Sequence, residues 1–342
     1  MPRVCEFSAI ILSLRNASAW SLADATECDK PHIVRQLILY RSTSILIRRQ
    51  FHRIMTETIK LVYQTAKVRL GFLIMLCAMV GAVASPSIDL TVWQMTIMGL
   101  AVLLCSSCAG AFNQLYERDI DAKMKRTSSR TFATGRFKAD SYWQMAIVLL
   151  SLFAILAVAV TTNVEAAFWL FLGSFCYGVV YTVWLKRRTW WNVVIGGLAG
   201  SFAVMVGAAS VGASASPAPI IFAVVLFLWT PPHFWALAYA CKADYAAANI
   251  PMLPVLVSDK VSTWVILLHA VPLVLLSLTL GYFGMGWIYM LGAFVGGTYF
   301  IWESIKLVRE PCIKNAWRTF AASIVQLGLM LTMAILDRLI LG

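Results

Sequence analysis

The residues best suited to chemistry lie between Asn113 and Arg130, in the string NQLYERDIDAKMKRTSSR. Asn113 and Glu117 are four positions apart, as are Glu117 and Asp121. On a helix these three oxygen-bearing side chains share one face, while Asp119 points elsewhere and takes a supporting place. Such oxygen donors suit Mg²⁺, which keeps several waters and is usually completed by substrate phosphates. A basic comb follows, Lys123, Lys125, Arg126 and Arg130, of the kind that pairs with phosphate. The same string also reads as a solvated, mixed-charge segment that ends an apolar run, and both readings fit its composition.

Two further stretches carry polar groups in company. In YTVWLKRRTWWN, Tyr181 to Asn192, the bases Lys186, Arg187 and Arg188 read as a topology anchor at a span end. With Tyr181, Thr189 and Asn192, they also read as a set able to reach a diphosphate. Trp184, Trp190 and Trp191 fit an interfacial aromatic belt. In FLWTPPHFWALAYACKADYAAANIPMLPV, Phe227 to Val255, Pro231-Pro232 is expected to break or kink a helix and free backbone carbonyls. His233 follows at once. A His at membrane depth is costly and usually functional, though a hydrogen-bonded His packed between helices also accounts for it. Trp229, Phe234, Trp235 and Tyr239 are candidates to line a wide flat pocket, or to pack between spans. Asp244 is a second candidate carboxylate for metal, with Lys242, Tyr245 and Asn249 close to it.

Composition decides what must position these residues. Of 342 residues, 60% are hydrophobic and 13% charged, about half the charged fraction of a soluble domain. The mean hydropathy is +0.77, and apolar runs of about 20 residues recur, the length that crosses hydrocarbon. The chain reads as an all-α polytopic membrane protein, embedded in a lipid bilayer. Its net charge of +12 would suggest nucleic acid in a soluble protein. Here the bases sit in short loops and follow the positive-inside rule, so nucleic acid is set aside. The eight Cys form no framework. Cys105 and Cys108 make a CxxC inside an apolar span and the others are scattered, so neither zinc nor disulfides are assigned.

Residues 1–60 differ from the rest, with Arg3, Arg15, Arg35, Arg41, Arg48, Arg49 and Arg53. An Arg-rich leader suggests an organelle transit peptide, but Glu6, Asp24, Glu27 and Asp29 are acids that such peptides avoid. MTETIKLVYQTAK, from Met55, offers a shorter start. The leader is expected to be disordered or no part of the working protein, with 61–342 as the membrane domain. About nine spans are expected, near 70–86, 93–113, 142–161, 165–185, 191–211, 218–240, 263–282, 285–305 and 318–339. Loops 114–141, 186–190, 241–262 and 306–317 contain Lys and Arg, whereas 87–92, 162–164, 212–217 and 281–284 contain none. Every polar constellation therefore falls on one face. That face is expected to be cytoplasmic in a bacterial inner membrane, or on the matrix side of a mitochondrial inner membrane.

Acids on two loops, facing bases across the mouth of an apolar bundle, suit a prenyl diphosphate. Such a substrate reacts by departure of pyrophosphate. Mg²⁺ with Lys or Arg stabilises the negative charge that grows on the leaving group, and the allylic cation must be kept from water.

At these residues the chain resembles the UbiA superfamily of intramembrane prenyltransferases, which have nine helices and a first motif of the form N-x-x-x-D-x-x-x-D. Within it, NQLYERDIDAKMKRT, YTVWLKRRTWWNVVIGGLAG, TPPHFWALAYACKADYAAANIPMLPV, AWRTF and SIVQLGLMLTMAILD are similar to the heme-farnesylating branch. The resemblance covers about residues 67–340. It implies transfer of a farnesyl group from farnesyl diphosphate to a vinyl of heme B, with addition of water, giving heme O and pyrophosphate. It also implies Mg²⁺ held by Asn113, Glu117, Asp121 and Asp244, with Asp119 and His233 among the catalytic candidates. Lys186, Arg187, Arg126 and Lys242 would bind diphosphate, alongside Arg130, Tyr181, Thr189, Asn192, Trp235, Tyr245 and Asn249 as substrate contacts. His233 would contact heme or move a proton. A downstream heme-modifying enzyme or a terminal oxidase assembly is the implied partner. Three departures stand out: Glu117 replaces the family's Asp, Arg130-Thr131 replaces Arg-Pro, and Ala248 leaves the second acidic site with Asp244 alone. A rival prenyl acceptor, an aromatic acid or a chlorin, is disfavoured by TPPHFWALA. A transporter would carry polar residues through the bilayer depth and on both faces, which this chain does not.

Overall fold

In hydrocarbon, a long apolar segment can satisfy its backbone only by closing its hydrogen bonds within itself, as a helix. The computed structural model describes residues 31–86 and 89–341, and of residues 31–42 and 44 the backbone alone. Each expected span coincides with helix. In order these are Val68–Val83, Val92–Tyr116, Ser141–Thr161, and Val164–Phe175 running on as a π-helix, Cys176–Leu185. Next come Asn192–Gly196 with Leu198–Ser210, Pro217–Ala240, Asp259–Leu278 with a 3₁₀ turn at Thr279–Phe283, Trp287–Arg309 and Ile313–Leu341. The count is close to the expected nine or so. Among the described residues, seven helices are long and apolar enough to cross a membrane, or eight if a bent pair around Ala66–Lys67 counts as one. Val68–Val83 has only 16 residues, and Trp287–Arg309 is diluted by Gly, Trp and Tyr.

The helix starts follow local chemistry. Thr91 and Gln94 form a capping box, and Asn163 Oδ1 accepts from the Ala166 N–H at 2.8 Å. On the face away from the charged loops, Asp337 accepts from the backbone N–H groups of Gly286, Ile288 and Tyr289. The neighbouring Arg338 donates to the Val83 and Ser85 carbonyls at 3.0 and 2.6 Å. One residue pair at the end of the last helix thus caps two others.

Small residues set the packing, as in membrane bundles generally. Val68–Val83 lies against Leu198–Ser210 so closely that a Cβ on Gly81 would overlap the Val204 carbonyl, and one on Gly207 the Ala78 carbonyl. Ile313–Leu341 packs on Trp287–Arg309, Pro217–Ala240 and Val68–Val83, which joins the two ends of the bundle. Of the expected break or kink at Pro231-Pro232, a break is not present; the helix continues from Pro217 to Ala240. Both prolines are buried there, where neighbouring helices support the interrupted hydrogen bonding.

Every site residue named below lies from Val62 onward, in one unit of the chain. Of the leader, residues 1–30 lie outside the described residues, and Pro31–Thr65 is a helix of 35 residues.

Candidate active site

The Val92–Tyr116 helix ends at Glu117, and a short turn, Arg118–Asp121, follows. The Glu117 N–H still donates to the Asn113 carbonyl at 3.0 Å, and the Asp121 N–H to the Glu117 carbonyl at 2.8 Å. The four-residue register therefore survives. Asn113, Glu117 and Asp121 are 2%, 1% and 2% exposed, so the expected common face points inward. A buried carboxylate is strongly unfavourable unless a cation meets it. Three cations from three segments meet this row. Lys67 Nζ donates to Asn113 Oδ1 at 2.7 Å. Lys186 forms an ion pair with Glu117. Arg130 Nη1 donates to Asp121 Oδ1 and Oδ2 at 2.8 and 2.9 Å.

Lys186 reaches Glu117 because the helix before it is wound as π. Its N–H donates to the Tyr181 carbonyl, five residues back, at 3.0 Å. Tyr177 to Lys186 would be about two and a half α-helical turns, which would set them on opposite sides. Hydrogen bonds to the fifth residue put more residues in each turn, and Tyr177, Tyr181 and Lys186 come to one side. Tyr177 Oη accepts from Lys67 Nζ at 3.1 Å. Lys186 Nζ lies 5.6 Å from the Tyr181 ring centroid, a cation–π contact. Gly196 leaves room for that ring, since a Cβ there would meet it at 2.7 Å.

Lys67 holds a left-handed backbone, φ 48° and ψ 42°, uncommon for a residue other than glycine. Burial first, then the positive Arg130 and Lys186, pull its ammonium down to about 7, against the opposing pull of Glu117 and Asp121.

Tyr177 and Tyr181 also line an apolar cavity of about 170 Å³ that runs among Leu73, Cys77, Trp169, Gly200, Ala203, Trp229 and Phe234. A polar cleft of about 320 Å³ lies among Gln64, Lys67, Gln114, Ser129, Arg130 and Thr131. The two meet where Lys67 touches Tyr177.

The other candidates are placed variously. Asp119 turns away from the row, as its register suggests; it is 56% exposed and pairs with Arg187 at 2.8 Å. Hydrogen bonding to Asp119 holds the Arg187 guanidinium above its usual pKa. Asp244 accepts from the Arg126 backbone N–H at 3.2 Å, which ties the second acidic loop to the first, while the Arg126 side chain is exposed. Lys242 pairs with Asp259 at 2.9 Å, both well exposed, and not with the buried row. Tyr245 is packed in a core of Ile120, Met124 and Tyr239. Asn249 is exposed with φ 55°, in the helix-ending turn closed by Ile250 N–H to the Tyr245 carbonyl; left-handed tolerance explains an Asn there. Thr189 and Asn192 bond locally, Asn192 Nδ2 donating to the Thr189 carbonyl.

The third stretch divides. Trp229, Thr230 and Phe234 line the cavity. Trp235 does not: it is 1% exposed in the core, edge-on to His269. His233 is stacked between Trp229 and Phe320, at 4.2 and 4.6 Å between centroids, with Nδ1 2.7 Å from Ser323 Oγ.

Among the described residues no three His, Cys, Asp or Glu gather as a metal cluster. Glu117 Oε1, however, is buried without a hydrogen-bond partner. With Asn113 Oδ1 and Asp121 it supplies hard oxygen donors of the kind Mg²⁺ takes. Sequence reasoning missed Lys67, Tyr177 and Thr182. Lys67 reads with Arg69 as an ordinary pair of bases before the first span, and α-helical spacing separates Tyr177 and Thr182 from the acids; only a five-residue period would have found these two.

Comparison with known proteins shows the family. Residues 74–330 match the model of the UbiA prenyltransferase family. Protoheme IX farnesyltransferase 2 of Paramagnetospirillum magneticum is 48% identical over 288 residues, 84% of this chain and all of that protein. Protoheme IX farnesyltransferase 1 of the same organism is 42% identical, over 80% of this chain and 96% of its own length. A UbiA homolog from Archaeoglobus fulgidus, solved bound to DMAPP and Mg²⁺, shares the fold with a TM-score of 0.62 at 14% identity, covering 82% of this chain and 99% of that one.

Proposed function

The chain belongs to the UbiA prenyltransferase family, and from that premise we propose that it transfers a farnesyl group from farnesyl diphosphate to a vinyl group of heme B. Water adds in the same reaction, and the products are heme O and pyrophosphate. The names of the relatives support acceptor and donor. The observation that carries the reading is the double position of Tyr177 and Tyr181. Both line the apolar cavity, and both touch a lysine of the polar row. An isoprenoid tail and its diphosphate thus have adjoining places.

Asn113, Glu117 and Asp121 would hold Mg²⁺; Asp244, a metal candidate by resemblance, is bonded to the Arg126 N–H and does not gather with Glu117 and Asp121. Bound Mg²⁺ supplies positive charge facing the diphosphate; the Archaeoglobus fulgidus homolog, solved with DMAPP and Mg²⁺, supports that assignment. Lys67, Lys186 and Arg130 take the negative charge of the departing pyrophosphate as the carbon–oxygen bond breaks and its electron pair leaves with oxygen. The cavity wall keeps water from the allylic cation, and the faces of Tyr177 and Tyr181 lie where they can stabilise it. The vinyl π electrons then form the new carbon–carbon bond. The oxygen of a water molecule then adds to the resulting carbocation on the acceptor, and its proton passes to solvent. His233, one residue before Phe234 of the cavity wall, is assigned to acceptor contact.

The working domain is assigned to 61–342, with residues 1–60 outside it. The charged face is assigned to the cytoplasmic side of a bacterial inner membrane, on the loop charges alone. A downstream heme-modifying enzyme or a terminal oxidase assembly would consume the product. Pyrophosphate release that needs both farnesyl diphosphate and heme B tests the reading; release that ignores heme B contradicts it.

A further inference from the structure

The Asn113 carboxamide has two ends of similar shape and opposite chemistry, an oxygen that accepts and an amino group that donates. Its partners decide which end meets a cation. Nδ2 donates to Thr182 Oγ1 at 3.2 Å, and Oδ1 accepts from Lys67 Nζ at 2.7 Å. Thr182 is fully buried, and its single hydroxyl proton is committed. Oγ1 donates to the Tyr177 carbonyl, five residues back in the π-helix, at 2.8 Å. A hydroxyl so engaged can only accept from a further partner. It therefore selects the amino end of Asn113 and leaves the oxygen turned to the cation. In an α-helix a Thr hydroxyl bonds three or four residues back. The five-residue bond depends on the same π winding that brings Lys186 to Glu117.

We propose that Thr182 is a positioning residue: it fixes the Asn113 carboxamide so that Oδ1 faces the cation bound at this site. The inference rests on the reading of Asn113, Glu117 and Asp121 as the place of a divalent cation and a prenyl diphosphate, and extends it to a residue that touches neither.

The test is binding rather than turnover. Full-length protein in detergent is titrated with Mn²⁺, as a spectroscopic substitute for Mg²⁺, in the presence of farnesyl thiodiphosphate, and free Mn²⁺ is read by electron paramagnetic resonance. Thr182→Val keeps size and branching but removes the hydroxyl. Loss of a partner that orients a metal ligand costs about 10- to 100-fold in metal affinity, and that loss is expected here. Thr182→Ser, which keeps the hydroxyl, is expected to retain most of the affinity. In an Asn113→Asp background the two carboxylate oxygens are alike and need no orienting. There Thr182→Val is expected to cost no more than about 2-fold, the margin of independent sites. Thr182→Cys, a weak acceptor of similar size, makes the same measurement should Thr182→Val fail to insert. Unchanged affinity in the hydroxyl-free variant, or equal loss in both backgrounds, overturns the proposal. Wild-type protein that binds no Mn²⁺ with the analogue present overturns the site reading beneath it, a distinct result.

Discussion

The Lys67 ammonium donates to the Tyr177 hydroxyl at 3.1 Å, and that bond is the seam between a polar cleft and an apolar cavity. Lys67 belongs to the cleft and Tyr177 to the cavity. A prenyl diphosphate has the same division along its length. The seam is where its scissile carbon–oxygen bond would lie.

Lys67 should therefore act on the diphosphate. Charge-assisted hydrogen bonds contribute about 1.5–3 kcal/mol, which converts to roughly 10- to 150-fold. Lys67→Met is expected to lower kcat/KM for farnesyl diphosphate within that range, measured by product formation under varied substrate. An unchanged value would leave Lys67 as a helix-start residue only.

The buried row and the exposed Asp119 should separate cleanly. Glu117→Gln and Asp121→Asn keep shape and remove charge, and each is expected to lower turnover by roughly 100-fold or more. Asp119→Asn breaks a solvent-exposed ion pair, where such pairs contribute less than about 1 kcal/mol, so its activity should stay within about 5-fold. Comparable losses in all three would return the row to a general electrostatic role.

Much of this was legible in the sequence, and the reasons differ by residue. The four-residue spacing of Asn113, Glu117 and Asp121 holds because the Glu117 and Asp121 N–H groups still close α-type bonds. Helix positions came through because apolar length is set by the bilayer. Loop contacts did not: Lys242 turned to Asp259 and Asn249 to a left-handed turn, both choices made by neighbours that periodicity cannot see. Phe234 faces the cavity while Trp235 is buried against His269, a choice made by the helices packed on either side. The π-helix hid most, since it pairs Tyr177 with Thr182 and Tyr181 with Lys186 at five-residue spacing. The stacking of His233 on Phe320 joins helices distant in sequence and was equally unreadable, whereas Trp229 lies four residues before it on the same helix.

The cavity should limit the tail. Ala203 lies seven residues beyond Gly196, about 10 Å further along the helix from Tyr181, and lines the wall. Ala203→Leu is expected to lower kcat/KM for farnesyl diphosphate by 10-fold or more, in the range that a misfit of one or two methylenes brings. Geranyl diphosphate should suffer less. Equal effects on the two donors would place the tail elsewhere.

The bundle depends on the close approach at Gly81 and Gly207. Gly207→Val sets side-chain atoms where the Ala78 carbonyl lies, and overpacking of this kind costs about 1–3 kcal/mol or more. The variant is expected to give less monodisperse protein in detergent and a lower melting temperature. Wild-type behaviour would mean the two helices can part without consequence.

The most direct test is the mass of the heme product. Membranes holding this chain, given heme B, farnesyl diphosphate and Mg²⁺, are separated by liquid chromatography and the hemes weighed. The expected result is a new heme heavier than heme B by one farnesyl group and one hydroxyl group. An unchanged heme pool from correctly inserted protein would contradict the account.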